Sequence, residues 1–165
     1  MKLVTLQNKR VLDIINTDGE YIPFPKYNLM DNEYQEMFEQ YNRKIGIPIK
    51  AAIWSWYVVD FERTDELPNQ KLLGYMENFY LDDSKGIVLL LDVPDELVFL
   101  SDAYGWASYI ADPPELQKEN PYLWDAKVDW DNNVDMVQAI LPSIKKEYVI
   151  DWVEIDRPEE LAWNK

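Results

Sequence analysis

The 165-residue sequence contains no cysteine and no histidine. The absence of cysteine excludes disulfides, thiolate metal sites and cysteine nucleophiles. The absence of histidine removes the most common general base and zinc ligand, so a hydrolase built on a Ser-His-Asp triad is excluded. The five glycines are scattered singly along the chain. The sequence therefore also lacks a glycine-rich loop that could hold a phosphate group.

Long apolar runs are missing as well. The longest one, Ile87–Val93, contains Asp92 and has the length of a strand, far below the ~20 residues that cross a bilayer. Residues 1–11 hold one short apolar run and do not resemble a signal peptide. We therefore expect a cytoplasmic protein with no membrane partner.

Basic residues are scarce: Lys and Arg number 16 against 31 Asp and Glu, which gives a formal net charge of −15. Such a charge repels phosphate backbones in general. Three interpretations stay open: a well-solvated surface, a surface that docks a basic partner, or a protein that reaches a nucleic acid only through a local basic pocket. The length and a hydrophobic content of 47% predict a single globular domain over residues 1–165, with a charged C-terminal tail at 156–165.

Periodicity divides this domain into helices and strands. Asn8 can cap a first helix that Asp18 and Gly19 end, and the spacing of Tyr34, Met37, Phe38, Tyr41 and Ile45 predicts a second helix that ends at Gly46. Predicted strands lie at 2–6, 52–61, 87–93, 97–100, 134–141 and 147–155, with short helices at 72–80, 101–110 and 122–130. The pattern indicates an α+β fold with a mixed, mostly antiparallel sheet of about five or six strands and short helices.

Two tryptophans distinguish the strand at 52–61. Alternation places Trp54 and Trp56 on one face and Ser55 and Tyr57 on the other. Adjacent indoles on one face either anchor a core, as large aromatic side chains usually do, or form the floor of a pocket that stacks against a flat ring.

Polar residues at the end of one strand and within another are the sharper functional candidates. Gln7 ends the first predicted strand and Gln138 interrupts an apolar strand. A buried amide costs free energy unless it is hydrogen-bonded. Each glutamine is therefore a satisfied core amide, an outward-facing side chain or a functional group. The carboxylates of Asp129, Asp131 and Asp135 crowd together, but a solvated turn explains them better than a cation site does.

The order of several short motifs resembles a bacterial family known as domain of unknown function 3841. The matching motifs are Leu3–Gln7, Tyr34 with Met37, Gln40 and Arg43, Ile53–Tyr57, Leu89–Pro94, Leu100–Asp102 with Trp106, and Val137–Ala139. Together they span most of the chain. Each motif is weak by itself, and their order carries the resemblance.

A more distant resemblance links the chain to ADP-ribosyltransferase-like domains. The opening strand and Gly-ended helix are similar to the start of such domains, and the strand at Val137–Leu141 with its closing strand is similar to their end. This resemblance implies an NAD-dependent transferase that modifies a nucleic acid or a protein, as a bacterial toxin or a phage-defence effector. Gln138 would stand where the family has its catalytic glutamate.

The same resemblance implies a nicotinamide site. Gln7 would face the nicotinamide ribose, and Trp54, Trp56 or Tyr57 would wall the pocket. Cleavage of the nicotinamide–ribose bond passes through an oxocarbenium-like transition state, which a nearby carboxylate stabilises. Gln138 brings no negative charge to this state. Three alternatives follow: a neighbouring carboxylate such as Asp135 compensates, the reaction is slower, or the site binds NAD without catalysis.

Two other functions remain open on the sequence. The charge fits a non-catalytic acidic binding module, an inhibitor or adaptor, for a basic protein partner. A degenerate fold that has lost its chemistry and binds a small ligand is the third possibility. The geometric question that separates them is whether Gln7, Gln138 and the aromatic side chains meet in one pocket.

Overall fold

A computed structural model describes residues 1–25, 31–57, 85–111, 123 and 137–156. The strands are β1 (Lys2–Asn8), β2 (Glu20–Tyr21), β3 (Ile53–Tyr57), β4 (Lys85–Asp92), β5 (Phe99–Asp102), β6 (Val137–Leu141), β7 (Ile144–Lys145) and β8 (Val149–Asp156); the α-helices are α1 (Lys9–Asp18), α2 (Asp31–Ile45) and α3 (Ala103–Ala111). Short 3-10 turns cover Asp95–Leu97 and Lys146–Tyr148. The predicted helices at 72–80 and 122–130 and the tail after residue 156 lie outside the described residues.

Six strands form one sheet in the order β5-β6-β3-β1-β4-β8. Every pairing in this sheet is antiparallel. The prediction of an α+β fold with five or six strands is thus confirmed, and the described part of the sheet is antiparallel throughout rather than mixed. β1 is central: it pairs with β4 along its whole length, from Lys2 opposite Asp92 to Asn8 opposite Gly86, and with β3 on its other side.

One face of the sheet packs against α1 and is called the α1 face. Side chains of Leu3, Ile53, Leu89 and Ala139 point to it and join Val11, Leu12 and Ile15 of α1 in one buried cluster. Residues 87–91 on β4 are fully buried, as expected for an apolar run that is covered on both faces. This cluster is the larger of the two cores formed by the described residues.

The opposite face, called the α2 face, carries a second core. Met37, Phe38 and Tyr41 of α2 pack there against Phe99 and Ile140. The Tyr41 hydroxyl donates to the Leu97 carbonyl at 3.0 Å. Burial raises the pKa of Tyr41, so its hydroxyl remains a proton donor at neutral pH. This hydrogen bond fixes α2 to the segment that enters β5.

The ends of α1 follow the chemistry expected from the sequence. The Asn8 side chain accepts a hydrogen bond from the Arg10 amide at 2.9 Å, and Gly19 at φ 83° donates its amide to the Ile15 carbonyl at 3.0 Å. Gly46 ends α2 in the same left-handed conformation. Beyond α1, β2 pairs with β7, and the Lys146 amide donates to the Gly19 carbonyl at 2.8 Å.

Replacement of Gly19 tests the strain at this helix end. A Cβ at position 19 meets no atom within 4 Å, so the cost of Gly19→Ala comes from the backbone alone and should be about 1 kcal/mol of unfolding free energy. Gly19→Asn should cost less, because asparagine tolerates this conformation. Urea unfolding of the two variants measures both values, and equal losses would contradict the assignment.

Candidate functional site

The five candidate site residues lie on two faces of the sheet. Gln7 and Tyr57 belong to the α1 face, because they alternate in phase with Leu3 and Ile53. Trp54, Trp56 and Gln138 belong to the α2 face, where Trp56 is directly opposite Gln138 and Trp54 is opposite Ile140. The expected alternation along β3 is confirmed. The sheet itself separates the two groups.

The two glutamines are also far apart along the sheet. Gln138 is opposite Trp56, and Trp56 is opposite Val4, three residues before Gln7 on β1. Three residues cover roughly 10 Å along a strand, and two strand spacings add roughly 10 Å across the sheet, so the two backbone positions are roughly 14 Å apart. Because their side chains also point to opposite faces, Gln7 and Gln138 do not meet in one pocket.

Gln138 lies in a closed polar pair. Its side chain is 6% exposed, and its Nε2 donates to the Ser101 hydroxyl at 2.7 Å. Ser101 is fully buried and directly opposite Gln138 in the β5–β6 pairing. The amide therefore has the hydrogen-bond partner that a buried polar group requires, and the pair links two neighbouring strands.

Aromatic side chains from two helices cover Trp54. Its ring centroid is 5.5 Å from that of Tyr34 on α2 and 6.3 Å from that of Trp106 on α3. Trp106 stacks in turn on Tyr109 at 5.7 Å, and the Tyr109 hydroxyl donates to the Glu36 carboxylate. Centroids at these distances are typical of packed aromatic cores. Trp54, itself partly buried, thus packs against the α2-face core.

A row of polar side chains crosses the α1 face. The Gln7 amide donates to the Thr5 hydroxyl at 2.7 Å, and that hydroxyl donates to the Trp54 carbonyl on the neighbouring strand at 2.6 Å. Thr5 is fully buried and Gln7 is half-buried. Because the Gln7 Nε2 already donates to Thr5, the Gln7 Oε1 is the atom best placed to accept a further hydrogen bond.

Ser55 extends this row and, like Thr5, is not among the candidate site residues predicted from the sequence. The register places it next to Thr5 on β1 and opposite Ala139 on β6. Its side chain is 1% exposed, and its hydroxyl has no hydrogen-bond partner among the described residues. A hydroxyl buried without a partner costs about 1–3 kcal/mol. A serine between two tryptophans in an apolar strand is the same signal that singled out Gln138.

A groove elsewhere on the surface contains none of the five candidate residues. It has a volume of about 480 Å³ and is lined by α2 and residues 48–50. Among the residues that the structure describes, no three acidic side chains group as metal ligands. The carboxylates of Asp129, Asp131 and Asp135 lie outside the described residues.

Comparisons with known proteins returned no relative: no family model, no curated protein and no solved structure matches the chain. The two family resemblances therefore remain predictions. Within the described ranges, no helix combines the length and the apolar character that a membrane crossing requires.

The Gln138–Ser101 pair can be tested by a double-mutant cycle. Gln138→Leu or Ser101→Ala alone should each lower the free energy of unfolding by about 1–3 kcal/mol, because each leaves a buried polar partner unsatisfied. The double variant should lose less than the sum of the two single changes. Urea unfolding of all four proteins measures the coupling, and strictly additive losses would show that the two side chains do not depend on each other.

Proposed function

We propose that this protein binds NAD and acts as an ADP-ribosyltransferase-like protein on a nucleic acid or a protein, as a toxin or a defence effector. The motif order of the sequence favours this class. The observation that carries the proposal is the Ser55 hydroxyl, which is buried without a partner among the described residues. A buried polar group without a hydrogen-bond partner lowers stability, so its presence needs another reason. A ligand that supplies the missing hydrogen bond would be such a reason.

The residues of the α1 face fit the nicotinamide end of NAD. A ribose hydroxyl and a carboxamide both donate and accept hydrogen bonds, and the nicotinamide ring is flat. Gln7 offers an amide oxygen, Ser55 offers a hydroxyl, and Tyr57, two residues further along β3 on the same face, offers an aromatic ring. A few polar groups on an otherwise apolar surface are typical of small-ligand sites.

Access to Ser55 requires movement of covering side chains, because the residue is 1% exposed. Gln7 and Tyr57 are both half-buried and are its near neighbours on the α1 face. A long, unbranched side chain such as that of Gln7 has several rotamers available. We therefore propose two roles for the Gln7 side chain: it covers Ser55 in the free protein, and it contacts the ribose in the complex with NAD.

The residues of the α2 face do not fit the same site. Gln138 donates to Ser101 and Trp54 packs between α2 and α3. Bound NAD would supply an activated nicotinamide–ribose bond, and the α1-face residues would bind and orient it. In this arrangement Gln138 does not stabilise charge in the transition state. Gln138 and Trp54 would stabilise the sheet and would not contact the cofactor.

Replacement of Ser55 by alanine separates the effect of its hydroxyl on protein stability from its effect on NAD binding. Ser55→Ala should raise the free energy of unfolding of the free protein by about 1 kcal/mol, because the unsatisfied hydroxyl is removed. The same change should weaken NAD binding about 2- to 12-fold, the equivalent of one neutral hydrogen bond of about 0.5–1.5 kcal/mol. Thermal shift and isothermal titration with NAD measure the two effects.

Ser108→Ala is the matched control, because Ser108 is an exposed serine on α3. Its replacement should leave NAD binding unchanged and should raise the free energy of unfolding by no more than about 0.5 kcal/mol, the helix-propensity gain of alanine over serine. Gln7→Ala should weaken NAD binding without the gain in stability.

Transfer of ADP-ribose is measured with NAD labelled on the adenosine part, in the presence of DNA, RNA or protein acceptors, and by nicotinamide release. Absence of both NAD binding and nicotinamide release would overturn the proposal.

A further inference from the structure

β8 forms one edge of the six-stranded sheet. Its inner side pairs with β4 from Lys85 opposite Asp156 to Leu91 opposite Val149, and none of the described strands pairs with its outer side. The outer side of an edge strand presents backbone N–H and C=O groups that can pair with another extended chain. Proteins usually protect such an edge with charged side chains, above all lysine, with proline, with a β-bulge or with a covering segment.

β8 has only part of this protection, namely acidic side chains and one register shift opposite Leu90 and Leu91. The strand has three acidic residues, Asp151, Glu154 and Asp156, and neither lysine nor proline. Large apolar side chains are exposed among them: Ile150 at 39%, Trp152 at 45% and Val153 at 37%. The edge therefore combines exposed apolar surface with negative charge.

A local hydrogen bond holds one backbone group of this edge. The Trp152 amide donates to the carboxylate of Asp151 at 2.8 Å. An incoming strand could replace that carboxylate with a backbone carbonyl and leave Asp151 to pair with a basic side chain. The charge of Glu154 is already partly matched by Lys9 at 2.5 Å, so Asp151 is the better candidate for recognition.

We propose that β8 is a docking edge for an extended basic peptide segment of another protein, which adds to the sheet as a further strand. The exposed apolar side chains would contact alternate residues of the segment, and Asp151 would contact its lysine or arginine. A second copy of this chain fits less well, because pairing two β8 strands brings acidic residues together, which is destabilising. Docking at this edge does not depend on NAD binding.

Two peptides of equal charge test whether the backbone edge is used. The first is a fluorescent eight-residue peptide that alternates valine and lysine, and the second has proline in place of two valines. Strand addition should make the proline peptide bind about tenfold more weakly or worse, because proline removes backbone N–H donors. Titration by fluorescence anisotropy gives both affinities. Equal binding would reduce the edge to a charged surface, and absence of binding would overturn the proposal.

Variants of the protein test the assigned charge. Asp151→Asn keeps an oxygen that can accept from the Trp152 amide, yet it removes the charge, so the alternating peptide should bind about 1.5- to 5-fold more weakly. Glu39→Gln is the matched control: it removes the same charge from an exposed position on α2, which contacts β5 at the opposite edge of the sheet from β8, and should leave the affinity unchanged. Equal effects of the two variants would contradict a contact at Asp151.

Two further measurements distinguish other occupants of the edge. Hydrogen exchange with bound peptide should show new protection at amides of residues 149–156, and protection only elsewhere would overturn the proposal. Sedimentation of the protein alone should show no β8-dependent dimer, since a dimer that Trp152→Glu abolishes would assign the edge to a second copy. Peptide binding that appears only after deletion of residues 157–165 would assign it to the chain's own C-terminal segment.

Discussion

β1 is hydrogen-bonded to β4 along its whole length and to β3 on its other side, and the rest of the sheet takes its register from this central strand. Because side chains alternate with a period of two, the pairing of Leu3 with Tyr57 decides the face of every residue on β3 and, through β3, on β6. A shift of one residue would exchange the two faces. The position of each candidate site residue follows from this one ladder.

Local chemistry is readable in the sequence, and the structure follows it closely. Asn8 and Gly19 bound α1 as predicted, Gly46 ends α2, and the alternation of Trp54 with Ser55 is observed. These features depend on neighbours within a few residues. The strand order is different in kind, because it depends on contacts between segments that are far apart in the chain. The sequence therefore predicted the fold class and most of the described elements, although not the strand β7. The separation of Gln7 from Gln138 appeared only with the register.

Two buried polar side chains with similar sequence surroundings differ in what they contribute to stability. Gln138 has its partner in Ser101, so its burial costs little and links β5 to β6. Ser55 has no such partner among the described residues, so it lowers stability in the free protein. The sequence alone does not distinguish Gln138 from Ser55, because both are polar residues in apolar strands. The cross-strand neighbours decide between them. Ser101 accepts from Gln138, whereas Ser55 has Ala139 on one side and, on the other, a Thr5 hydroxyl that already bonds to Gln7 and to the Trp54 carbonyl.

The position of β4 between β1 and β8 has a consequence for synthesis of the chain. β1 leaves the ribosome before either β3 or β4, and β8, which covers the other side of β4, is the last of the described strands to emerge. Residues 87–91 are fully buried in the finished sheet, so during translation this apolar strand has one open side until residues 149–156 are made. Such an open side can pair with other nascent chains.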